Sequence, residues 1–140
     1  MKQCLFADSW YYLAMLNPRD ARHAEAKLFS LQRTEPVLTT HWVLTEVVDA
    51  LSQAANRSTV IALLDALEED TNVTIVPLEQ RGWEKGIQLF RERGDKDWSL
   101  TDCISFSVMD EMGIREALTA DAHFEQAGFT ALFRPPPRNQ

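Results

Sequence analysis

The feature that most constrains this chain is an alternation. Short β-prone runs of about four residues are separated by longer stretches with helical spacing of apolar residues. Cys4-Leu5-Phe6-Ala7, Val37-Leu38-Thr39-Thr40, Val73-Thr74-Ile75-Val76 and Ala117-Leu118-Thr119-Ala120 are the runs, with Phe129–Phe133 as a short fifth. Strands that return only after a helix pair in parallel, and a parallel sheet needs both faces covered. The expected fold is therefore α/β, a mostly parallel central sheet of four to five strands flanked by helices.

The intervening stretches supply those helices. Ser9–Leu16 is expected to be helical, with Asp8 or Ser9 as its cap and Asn17-Pro18 as its stop. A second helix is expected over Arg19–Arg33 with Ala21, Ala24, Leu28 and Leu31 on one face, and a third over Val43–Ala55 along Val43, Val47, Leu51 and Ala54. Ser58 starts a fourth that runs to Glu68 with Ile61, Leu64 and Leu67 apolar, and Trp83, Ile87 and Phe90 mark a fifth ending near Gly94. The clearest start is Ser99 followed by Asp102, a capping-box variant, in a helix that stops at Gly113.

At 140 residues the chain has the size of one domain, expected over residues 1–134, with 135–140 as a disordered tail containing Pro135, Pro136 and Pro137. No apolar run approaches membrane-spanning length, and Asp8 interrupts the start before a secretory signal can form, so a cytoplasmic protein without membrane association is expected. Cys4 and Cys103, both among apolar neighbours, read as buried thiols rather than as a disulfide. The formal charge of −7 sits poorly with a phosphate-rich partner unless a cation neutralises the acids where they gather.

Four acids occupy the places where a parallel sheet builds its sites, beyond the carboxyl ends of the strands. Asp8 and Asp121 directly follow the first and fourth strands, Glu46 lies in the first turns of the helix after the second, and Asp102 lies in the first turn of the Ser99 helix. Singly, each has a plain role: a cap, a solvated surface residue, a capping-box partner, a turn former. Together they would repel one another unless a hard divalent cation shares their oxygens, and Mg²⁺, with Mn²⁺ as a substitute, prefers such ligands. His23, His41 and His123 are scattered, without zinc spacing or thiolate partners.

Phe6-Ala7-Asp8-Ser9, Thr45-Glu46-Val47, Trp98-Ser99-Leu100-Thr101-Asp102-Cys103 and Leu118-Thr119-Ala120-Asp121-Ala122-His123-Phe124 resemble the motifs of the PIN-domain ribonucleases, in the same order and over nearly the whole chain. Ser9-Trp10-Tyr11-Tyr12 departs from the family in being bulkier than the small residues often found there. The resemblance implies a Mg²⁺-dependent endoribonuclease leaving 5′-phosphate and 3′-hydroxyl ends. It assigns Asp8, Glu46, Asp102 and Asp121 to the metal site, Asp97 to an accessory acid and Thr119 to orienting Asp121, while His123 reads as a structural turn residue. The length matches VapC-type toxins of toxin–antitoxin pairs, which implies an RNA substrate, a protein antitoxin and a homodimer. A PIN-like RNA- or protein-binding module that has lost catalysis and a housekeeping RNA-processing nuclease remain as alternatives. Arg91, Arg93 and Lys96, with Trp98 to stack on a base, are the candidate grip on the substrate. A Rossmann-like phosphatase would need an acid where Trp10 stands, and a phosphotransfer receiver a lysine beyond Lys96, where none occurs.

Overall fold

A computed structural model describes residues 2–135. Five strands form one sheet in the order β3-β2-β1-β4-β5: β1 Leu5–Ala7, β2 Val37–Thr40, β3 Val73–Val76, β4 Glu116–Leu118 and β5 Thr130–Ala131. All four pairings are parallel, with Phe6 set between Leu38 and Ala117. The central strand β1 is buried at every residue, which is why it reads as a continuous apolar run rather than an alternating one.

Seven helices surround the sheet: α1 Ser9–Leu16, α2 His23–Gln32, α3 His41–Ala50, α4 Arg57–Glu69, α5 Gln80–Glu92, α6 Leu100–Met112 and α7 Ala122–Gln126. The chain steps outward from β1 to β2 to β3, then crosses back through α5 and α6 to place β4 on the other flank of β1. The connections leaving β1 and β4 therefore diverge, opening a crevice beyond their carboxyl ends. Asp8 and Asp121 lie at that crevice.

Several helical expectations change in detail. Helix α2 begins at His23 because Asp20 accepts from the Arg22 amide in a side-chain turn. Its expected apolar face is the wet one: Ala21, Ala24, Leu28 and Leu31 are exposed, and Ala26 is buried. Helix α3 starts earlier than expected, capped by Thr40, and stops at Ala50, with a separate 3-10 turn at Ala54–Asn56. In α4 the buried residues are Val60, Leu63 and Leu67, whereas Ile61 is exposed. The short α7 replaces a turn. The last residues of the expected tail, 136–140, lie outside the described residues.

The core is largely aromatic on two fronts. Trp98, Phe106, Phe124 and Phe6 form a chain of ring contacts 4.9–6.3 Å apart. Tyr11, Phe29 and Phe133 form a second cluster against α1 and α2. Cys4 and Cys103 are free thiols. No helix among the described residues is long and apolar enough to cross a membrane.

Candidate active site

Asp8, Glu46, Asp97, Asp102 and Asp121 line one cleft of about 520 Å³ at the carboxyl edge of the sheet, together with Trp10 and His123. The topology accounts for the convergence. Residues after β1 and β4 share the switch point, and α3 and α6 bring in their first turns beside it.

Asp8 is 5% exposed and stands in the N-cap position of α1, yet makes no capping bond there. Its Oδ2 instead accepts a hydrogen bond from Thr119 Oγ1 at 2.8 Å. Burial pushes the carboxyl up to about 7, against the pull of the Thr119 hydroxyl and with the negative charges of Asp102 and Glu46 adding to the rise. Thr119 also accepts from the Asp121 amide at 3.1 Å, so one hydroxyl ties the two strand-end acids together. Thr39 holds the end of β1 from the other side, donating to the Ala7 carbonyl at 2.9 Å.

Asp102 is both a cap and a site residue. Ser99 Oγ accepts from its amide and its Oδ2 accepts from the Ser99 amide, completing the capping box. The same Oδ2 lies 2.9 Å from His123 Nδ1. Asp121 caps α7 by accepting from the His123 amide at 2.8 Å, and its Oδ1 lies 3.6 Å from the His123 ring. Glu46 points into the cleft from α3, and burial raises its pKa, with the Ser9 hydroxyl opposing and Asp102 adding to the rise.

No lysine or arginine lines the cleft, and His123 is the basic side chain in its lining. Ligand atoms from Asp102, Asp121 and His123 lie within 4.8 Å of one another, close enough to meet one ion. Hard oxygen donors crowded around a partly buried space, with the deepest acid held towards its protonated form, suit a small divalent cation.

Two readings change at this site. His123, expected as a turn residue, has its ring against Asp102 and Asp121. Its place two residues past the capping Asp121, in the first turn of α7, is the signal that locates it. Trp98, expected to stack on a base, is 5% exposed, with Phe106 edge-on at 5.0 Å and the Arg93 guanidinium over its ring. Arg93 is itself paired with Asp95. Trp98 is therefore too buried to take a base.

Residues 6–130 match the PIN domain family. The 23S rRNA-specific endonuclease VapC20 of Mycobacterium tuberculosis is 31% identical over 131 residues, which span 91% of this chain and 97% of the relative. The crystal structure of the M. tuberculosis VapC20, a sarcin–ricin-loop-cleaving toxin, superposes with a TM-score of 0.83 at 28% identity, covering 94% of this chain and 99% of that one. FitAcB of Neisseria gonorrhoeae (TM-score 0.61, 16% identity, 91% and 95% covered) and VapBC2 of Rickettsia felis (0.64, 11%, 92% and 96%) share the fold.

Proposed function

This chain belongs to the PIN-domain family, a homologue of the VapC-type ribonuclease toxins, and from that premise we propose that it is a Mg²⁺-dependent endoribonuclease with Asp8, Glu46, Asp102 and Asp121 as its metal-holding residues. The observation that carries the assignment is the convergence of these acids on the switch-point cleft without a lysine or arginine in its lining. Asp8 and Asp102 would make the main contacts with the ion, and Asp121 and Glu46 would complete the set directly or through water, with Asp97 as an accessory acid. Thr119 fixes Asp8 and the Asp121 backbone relative to each other. When bound, Mg²⁺ supplies a water of lowered pKa and stabilises the charge that develops on phosphate oxygens.

The substrate proposed is 23S rRNA, because the relative that aligns over nearly the full chain is specific for it. The same likeness supports the toxin reading, and with it we propose a cytoplasmic protein held by a protein antitoxin. An apolar groove of about 440 Å³ between α3, α4 and β3, and the exposed Trp83 and Phe90 on α5, support protein partners, the antitoxin and a second copy among them.

The test is cleavage of a labelled 23S rRNA fragment spanning the sarcin–ricin loop, with Mg²⁺, with EDTA, and with the Asp102→Asn variant in Mg²⁺. Cutting is expected in the first reaction alone, with 5′-phosphate and 3′-hydroxyl ends. Cutting that persists in EDTA or in folded Asp102→Asn, or products ending in a 2′,3′-cyclic phosphate, would overturn the metal-site assignment.

A further inference from the structure

An acidic cleft that cuts a polyanion needs a separate surface to hold it, and on the α5–α6 side the expected stacking residue, Trp98, is buried. The opposite flank is different. Trp10, the second residue of α1, lines the cleft beside Asp8 and Asp121. Its neighbours Tyr11 and Tyr12 turn into the core, at 3% and 2% exposure, whereas Trp10 stays partly exposed in the cleft wall.

That indole is backed and oriented. Phe133 packs against it with ring centroids 5.0 Å apart, and the Arg22 guanidinium lies 5.5 Å from its centroid. Arg22 is held there by Glu25 and by the Phe133 carbonyl, to which it donates. Arg134 pairs with Glu125 and reaches the carbonyl of Ala120, the residue before Asp121. Thus a fixed aromatic surface borders the acids, and two arginines, each about a third exposed, flank it.

We propose that Trp10 forms the substrate-positioning wall of the cleft, with Arg22 and Arg134 beyond its rim as the adjoining positive charges. A base of the RNA strand stacks on the indole surface that faces the cleft, and the adjoining phosphate contacts the guanidinium groups. The inference rests on the ribonuclease reading and names where that nuclease takes hold of its strand. It also gives a role to the bulky position that departs from the family pattern.

The experiment uses the labelled 23S rRNA fragment and the full chain. Trp10→Leu, which keeps apolar volume but not a π-face, is expected to raise KM about ten-fold with a much smaller change in kcat. Trp10→Phe is expected to restore most of the affinity, and Arg22→Gln to raise KM while flattening its dependence on salt. In an Asp102→Asn background, RNA is expected to quench tryptophan emission, and the quench is expected to shrink when Trp10→Phe is added. Wild-type protein that cuts the RNA while Trp10→Leu shows an unchanged KM overturns the wall and leaves the nuclease intact. So does a loss confined to kcat and tracking a lower Tm, which marks a merely structural indole. Wild-type protein that cuts no RNA removes the nuclease reading and the wall together.

Discussion

The Asp8 carboxylate accepts a bond from Thr119, across the sheet, although it occupies a helix N-cap position. Its unfolded counterpart ionises near 3.8, while burial holds the folded group protonated up to about 7. Between those values the folded state binds more protons, so its stability falls as pH rises and levels off above about 7. Metal-free protein in EDTA is therefore expected to melt at a lower temperature at pH 8 than at pH 5.5. Asp8→Asn removes the ionisation but keeps the shape and an oxygen that can accept from Thr119. The variant is expected to flatten this slope and to stabilise the metal-free fold at pH 8 by a few kcal/mol, on the order set by three pKa units, while abolishing cleavage. A melting series on both proteins checks it, and parallel slopes would show that Asp8 is not the titrating group. The position of Asp8 was readable because an acid directly after a parallel strand lands at the sheet edge. The bond to Thr119 was not, since it joins residues 111 positions apart and exists only in the β1–β4 register. The contact of His123 with Asp102 was hidden for the same reason: it depends on how α7 meets α6.

At the scale of elements, local chemistry was legible and facing was not. The Ser99–Asp102 box announced α6 because both of its bonds are made within one turn. In α2, apolar and small residues occur all round the helix, so the helical period was correct while the choice of face was reversed. Only packing against α1 selects Ala26 over Leu31. The five-residue α7 carries too little pattern to be seen at all. Helix α5 shows what such packing demands. Its Gly86 is buried against α6, and a Cβ there would fall 2.2 Å from Ile104 Cγ1, two residues along from Asp102. Gly86→Ala gains up to about 1 kcal/mol of helix propensity but must push α6 away, with a net loss of about 1–3 kcal/mol expected. Denaturant melts should show it, and the loss should be smaller when Ile104→Ala is already present, because the clashing atom is gone. A Gly86→Ala protein as stable as wild type would mean that the α5–α6 contact is looser than described.

The whole molecule joins sheet order to charge. Alternating strands and helices made a parallel sheet legible, but not the order β3-β2-β1-β4-β5, because the flank on which β4 adds is decided by the long crossover through α5 and α6. That order is what puts acids from both ends of the sequence into one cleft. A chain of formal charge −7 then holds several carboxylates together with no lysine or arginine in the cleft lining, so its metal-free fold carries a local repulsion that a bound cation removes. Anything that binds the folded state alone stabilises it, by about 2.7 kcal/mol once its concentration reaches 100 times its Kd. Mg²⁺ is accordingly expected to raise Tm in a saturable manner, EDTA to reverse the rise, and Asp102→Asn to reduce it. NaCl at the same ionic strength separates a site from general screening, since diffuse charge effects follow ionic strength whichever ion supplies it. A rise with Mg²⁺ well beyond that with NaCl places the repulsion in the cleft and relieves it there. Equal rises would mean that the fold is answering to its net charge, and the acids at the switch point would then need another explanation.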